Sequence, residues 1–182
     1  MASPVRPFDV TREEPTLIPG VLLALRGGHG VLIEGPSGSG KSDAALGLLE
    51  RGHTLVADDA VALERRRGTL RGRCPGPARG LLHLRDVGVI DATELYGPEA
   101  VAAAAPITAC IRLQPRAGDD RPEHLLRGRR DVRYLRGVAL PRVTLTGGVS
   151  RPLPALIEAA VVSEPCSTHR LQQITGNREA AA

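Results

Sequence analysis

Eight consecutive residues, Gly35, Pro36, Ser37, Gly38, Ser39, Gly40, Lys41 and Ser42, fit G-x-x-x-x-G-K-[ST], the phosphate-binding P-loop. Glycines let backbone N–H groups turn inward around a polyphosphate, and the helix start that follows adds partial positive charge. The chain holds 24 Lys+Arg, yet Lys41 is its one lysine. A sequence that uses arginine everywhere else keeps the compact ammonium where it must fit between phosphate oxygens. Two adjacent carboxylates, Asp58 and Asp59, follow. Beside a P-loop, a strand-end aspartate works on Mg²⁺ or its waters. A second aspartate could take the proton of an attacking hydroxyl, and like charges this close should raise one of the two pKa values. Asp-Asp in isolation reads more simply as a surface turn; it is the P-loop that gives the pair chemical meaning.

Such a site needs a strand, a tight loop and a helix in that order. Val31-Leu-Ile33 reads as a buried strand, and Asp43 to Arg51 as a helix closed by Gly52. Val21 to Leu25 pairs with the Val31 strand through the turn Gly27-Gly28-His29-Gly30, and Thr54-Leu-Val-Ala57 is the strand that delivers the Asp pair. Ala60 to Leu63 continues extended into a hairpin turn at Arg65 to Thr69, and Cys74 to Gly80 is a loop. Leu81 to Arg85 is extended and leads into Asp86 to Ile90. A short helix is expected from Gly97-Pro98 through Ala105, stopped by Pro106, and then a strand over Ile107 to Leu113. Gln114 to Arg136 reads as a mobile arginine-rich loop, Val143 to Leu145 as a strand and Leu153 to Val162 as a helix. The result is one α/β domain over 16–163, a mixed sheet with flanking helices, between a loose arm (1–15) and a polar tail (164–182).

Bulk properties narrow the class further. A length of 182 residues suits one domain with a real core. Phe8, Tyr96 and Tyr134 are the only aromatics, which argues against a stacking platform for nucleic acid. The +4 charge permits an acidic or phosphorylated partner. Cys74, Cys110 and Cys166 are widely spaced and odd in number, which fits a reducing compartment. With no signal-peptide core and no run of membrane-spanning length, the expectation is a cytoplasmic protein that binds no membrane.

GVLIEGPSGSGKSDAALGLLERGHTLVADDAV closely resembles the P-loop segment of HPr kinase/phosphorylase, which phosphorylates a serine of the phosphocarrier HPr and can remove that phosphate. Leu82-His-Leu-Arg-Asp-Val-Gly-Val-Ile90 is similar to the family signature LEIRGLGII, Glu94-Leu-Tyr-Gly97 to the segment after it, and Arg142 to Val161 to the PVRPGRN region. The likeness runs from about Leu17 to Val162 and matches the short form that lacks an N-terminal domain. It implies a core related to that of phosphoenolpyruvate carboxykinase, Mg²⁺- or Mn²⁺-dependent use of ATP, an HPr-like partner and assembly into homo-oligomers. Gly35 to Ser42 would bind the nucleotide phosphates, with Ser42 on the metal. Asp59 matches the general base, Asp58 its neighbouring carboxylate, and Arg121 the catalytic arginine. Arg85 keeps its signature place, and Arg151 matches the last arginine of PVRPGR.

The departures from the family pattern are as specific. The catalytic histidine falls at Pro19, the signature's metal-binding glutamate at His83, and the following glycine at Asp86. The first arginine of PVRPGR falls at Gly148. His29 could partly replace the lost histidine, though a solvated turn residue is the simpler reading, and Asp86 could supply a carboxylate. His53 reads as structural, and His83 as a ligand or a polar-face residue equally. The run Arg127, Arg129, Arg130, Arg133 and Arg136 is either a docking site for an acidic surface or a solvated loop. These features favour a serine kinase whose phosphorylase activity is in doubt. The alternatives are a nucleotide-binding regulator with degenerate catalysis and a kinase for another protein or peptide.

Overall fold

A computed structural model describes residues 15–115, 128–146 and 151–162. In chain order the strands are β1 (Thr16–Pro19), β2 (Val21–Ala24), β3 (Gly30–Glu34), β4 (Thr54–Ala57), β5 (Ala60–Arg66), β6 (Thr69–Arg73), β7 (Leu81–Leu84), β8 (Gly88–Asp91), β9 (Ala104–Gln114), β10 (Arg129–Leu135) and β11 (Val138–Thr146). The helices are α1 (Lys41–Glu50), α2 (Ala92–Tyr96) and α3 (Leu153–Val162), with a 3₁₀ turn at Pro98–Ala100. This is one α/β domain with a mixed sheet. Strands run in the order β1-β5-β6-β9-β3-β2-β4, with β11 and then β10 added alongside β9. β7 and β8 form a separate hairpin.

The centre of the sheet explains the apolar run before the glycine loop. Val31 and Ile33 turn to one face, against α1, α3 and the β7–β8 hairpin, while Leu32 turns to the other. There it meets Val61 and Leu63 of β5, Leu70 of β6 and Ile107 of β9. A strand buried on both faces loses the apolar–polar alternation of a half-exposed one. β9 joins the two halves. Its start pairs antiparallel with β6, and its remainder runs parallel to β3 and β11.

Local chemistry sets the turns. Gly52 follows α1 with φ 79°, its N–H donating to Leu49 O and that of His53 to Leu48 O, the paired bonds of a glycine-closed helix end. Arg67 and Gly68 have φ 48° and 81°, a two-residue turn whose twist suits the β5–β6 hairpin. Arg136 and Gly137, at 48° and 72°, repeat that device between β10 and β11.

Three expected elements differ. The helix from Gly97 through Ala105 is only a 3₁₀ turn, and Ala104 to Pro106 already belong to β9. Proline disfavours helical geometry in the residue before it, so Ala105 cannot extend a helix into Pro106. Pairing with β6, together with burial of Ala105, then outweighs alanine's helix preference. The expected mobile loop Gln114 to Arg136 ends instead in strand β10, while residues 116–127 lie outside the described residues. The short strand at Val143 is part of the longer β11. α2 was not foreseen. The expected arm (apart from Pro15) and tail also lie outside the described residues.

Candidate functional site

β3, β9 and β11 run parallel, and β4, antiparallel to β2 as β3 is, points the same way. Their C-terminal ends therefore share one edge, where α/β proteins bind ligands. That edge collects Gly35 after β3, Asp58 after β4, Gln114 at the end of β9 and Thr146 at the end of β11.

From β3 the chain enters the glycine loop. Gly38 and Gly40 have φ 76° and 87°, values that side chains adopt only under strain, and Gly40 caps α1 without any side-chain bond. A Cβ at Gly35 would lie 2.5 Å from Leu113 O, so the loop runs directly along β9. Lys41 Nζ donates to Gly35 O at 3.0 Å and Pro36 O at 2.9 Å, which holds its ammonium over the loop. The buried hydroxyl of Ser39 has no hydrogen-bond partner among the described residues. A loop of turned glycines, a poised ammonium and an orphaned hydroxyl fit a polyphosphate.

Ser42 and Asp58 meet at this edge, the serine Oγ donating to Asp58 Oδ1 at 3.3 Å. The other carboxylate oxygen accepts the His83 N–H at 2.9 Å, so the β7–β8 hairpin is fastened to the site through main chain. Burial pushes the Asp58 carboxyl up, and the adjacent Asp59 charge pushes it further. At the hairpin tip Arg85 lies against the glycine loop, with Nη2 2.9 Å from where a Cβ of Gly38 would be. The Ser42–Asp58 oxygen pair suits a hard divalent cation. Among the described residues no group of three or more His, Cys, Asp or Glu side chains gathers to hold one. Asp59 is exposed, with φ 64°.

The chain matches the HPr Serine kinase C-terminal domain family over residues 13–176. It belongs to that family. The HPr kinase/phosphorylase of Streptococcus thermophilus is 41% identical over 154 residues, 82% of this chain and 48% of that protein. That of Lactobacillus acidophilus is 37% identical over 150 residues, 80% of this chain and 45% of that protein. The chain thus spans about half the length of the curated relatives it matches. The solved structure of the Hpr(Ser) kinase/phosphatase from Coxiella burnetii superposes with a TM-score of 0.72 at 30% identity, covering 87% of this chain and 98% of that one.

Against the HPr kinase family pattern, the other candidates separate clearly. Pro19, expected at the family's histidine position, pairs with Ala60 beside Asp59 and brings no titratable group to the site. His29 sits at the start of β3, roughly 15 Å of strand away from the loop, so it does not stand in for that histidine. His83 is exposed and contributes its amide. His53 is buried, its Nδ1 accepting from Arg26 N and its Nε2 facing Glu158 at 2.6 Å, a structural histidine.

The arginine run is partly committed within the fold. Arg133 clamps Glu34 at 3.1 Å, just before the glycine loop, and Arg136 reaches Thr16 Oγ1. Arg151 donates to Thr146 Oγ1 at 2.8 Å. Cys74 and Cys110 are free and buried, the Cys110 thiol pushed up to about 12 mainly by burial. Arg121, Arg127, Gly148 and Cys166 lie outside the described residues. No described helix is long and apolar enough to cross a membrane.

Sequence reasoning missed Glu34 with Arg133, and Glu158. Glu34 carried a faint signal, an acidic residue directly before a phosphate loop.

Proposed function

We propose that this chain transfers the γ-phosphoryl group of ATP to a serine hydroxyl of an HPr-like phosphocarrier in the cytoplasm. The observation that carries the reading is the Ser42–Asp58 contact at the mouth of the glycine loop, which brings the two oxygen ligands expected of a metal–nucleotide site within 3.3 Å. The loop amides and Lys41 would bind the β- and γ-phosphates, the ammonium leaving the carbonyls of Gly35 and Pro36 for phosphate oxygens. Ser42 and Asp58 would hold Mg²⁺ or Mn²⁺, which would neutralise phosphate charge when bound. Asp59 orients the acceptor serine and takes its proton. As the serine oxygen bonds to the γ-phosphorus, the bond to the β,γ-bridging oxygen breaks and ADP departs. Arg121 is assigned to the charge on the transferring group, by family resemblance alone.

With Gly148 in place of the PVRPGR arginine, the reverse reaction is expected to be weak. A second reading, a nucleotide-binding regulator with little catalysis, is favoured by Pro19 and His83, which leave two family side chains absent from the site. A third keeps the kinase and changes the acceptor to another protein or peptide. Assembly into homo-oligomers is part of the family-based reading.

Purified HPr, ATP and Mg²⁺ or Mn²⁺, with and without inorganic phosphate, separate these readings. Serine phosphorylation lowered by about 10²–10⁴-fold in Asp59→Asn supports the first. ATP binding without transfer to HPr or to any lysate protein supports the second, and transfer to a lysate protein but not to HPr the third.

A further inference from the structure

The backbone at Asp59 is held in a conformation it would not adopt freely. Its φ is 64°, and the Ala60 N–H donates to Asp58 O at 2.8 Å, closing a γ-turn of the positive-φ kind around Asp59. Such turns are rare and strained, and they persist where the surroundings enforce them. The enforcing group here is Gly20, the single residue between β1 and β2, whose N–H donates to Asp59 O at 3.0 Å. Gly20 is buried against the central strand, where a Cβ would lie 3.0 Å from Ile33 O and 3.3 Å from Leu32 Cδ1. Alanine there would have to shift the Gly20 backbone away from β3. β1 is itself braced by its pairing with β5, where Pro19 sits opposite Ala60, and by Arg136 bonding to Thr16.

The turn has a consequence for the two carboxylates. Asp58 is turned inward to Ser42 and the His83 amide, while Asp59 stands exposed. We propose that Gly20 is a positioning residue for phosphoryl transfer: with the Ala60 amide it fixes the strained turn that keeps the Asp59 carboxylate out of the Ser42–Asp58 pair and directed to the acceptor hydroxyl. This inference rests on the kinase reading given above. Gly20 touches neither nucleotide nor acceptor and acts through Asp59 alone.

Two substitutions test it by different routes. Gly20→Ala crowds the close approach of residue 20 to β3, and Ala60→Pro removes the N–H that closes the turn while disfavouring positive φ at Asp59. Each is made in the wild-type and Asp59→Asn backgrounds, with kcat for transfer to HPr, Mg-ATP affinity and amide hydrogen exchange measured. The expected result is a loss in kcat of about tenfold or more, the scale set by small misplacements of reacting groups, with Mg-ATP affinity nearly unchanged. In the Asp59→Asn background the same substitutions should cost nothing further, and Gly20→Ala should speed exchange at the Ala60 amide. Equal fractional losses in both backgrounds, or parallel losses of kcat and affinity, would overturn the inference. A wild-type chain that binds ATP but phosphorylates no serine would instead sink the kinase reading. Ala60 exchange then still decides the positioning: protection unchanged in Gly20→Ala refutes it, and protection lost supports the clamp.

Discussion

Ser42 and Asp58 make different demands on the same edge, and their contact predicts how each should fail. If Asp58 holds the divalent ion as proposed, Asp58→Asn, which keeps the shape but loses the charge, should raise the Mg²⁺ concentration for half-maximal transfer by about tenfold. Nucleotide binding without metal should change little. Metal titrations of the reaction check this, and an unchanged Mg²⁺ dependence would remove Asp58 from the metal site. Lys41→Ala acts on the phosphates instead. It should weaken ATP binding and lower turnover together, because the ammonium held at Gly35 O and Pro36 O belongs to the one lysine of the chain. Equilibrium binding alongside kinetics distinguishes the two substitutions.

At the scale of elements, the glycine loop depends on α1, and α1 on α3. The two helices pack closely at Gly47, where a Cβ would lie 2.5 Å from Pro154 Cγ. Gly47→Val should therefore destabilise the fold by about 2 kcal/mol, overpacking outweighing valine's small gain in helix propensity over glycine. Thermal denaturation reads this directly.

What was legible in the sequence follows the same scale. The β3–loop–α1 unit and the Asp-bearing strand were readable because their signals are local: an apolar run, glycines at fixed spacing and a glycine-closed helix end. β10 was not, although Arg136-Gly137 repeats the Arg67-Gly68 turn between two strands. Its arginines masked a strand whose partners lie along β11. α2 had a usable signal in Asp91, whose carboxylate accepts from Thr93 N at 2.7 Å as a helix N-cap and is lowered by its bonds to Thr93. The contact of the His83 amide with Asp58 spans 25 residues and had no sequence signature at all.

Over the whole molecule, one network ties the far end of α1 to α3. Glu158 receives Arg51 at 2.8 Å and faces His53 at 2.6 Å, and its carboxyl is lowered from 4.5 to about 2, chiefly by the Arg51 hydrogen bond. A carboxyl depressed in the fold stabilises it fully above its ordinary value, and loses that contribution as pH falls toward the folded one. The wild type should therefore be more heat-stable than Glu158→Gln above pH 4.5, with the gap closing as pH falls toward about 2. A gap independent of pH would show that the ionised carboxylate is not what docks α3.

β9 pairs with β6, β3 and β11, and its partner Gly30 lies far from Ile107 in the chain. None of these ladders can form before a long loop has closed, so refolding should be slow, on a scale of milliseconds to seconds, rather than that of a helical bundle. The same strand leaves no natural seam between the halves it crosses. In urea, fluorescence of Tyr96 and Tyr134 and backbone circular dichroism should then report a single coincident transition.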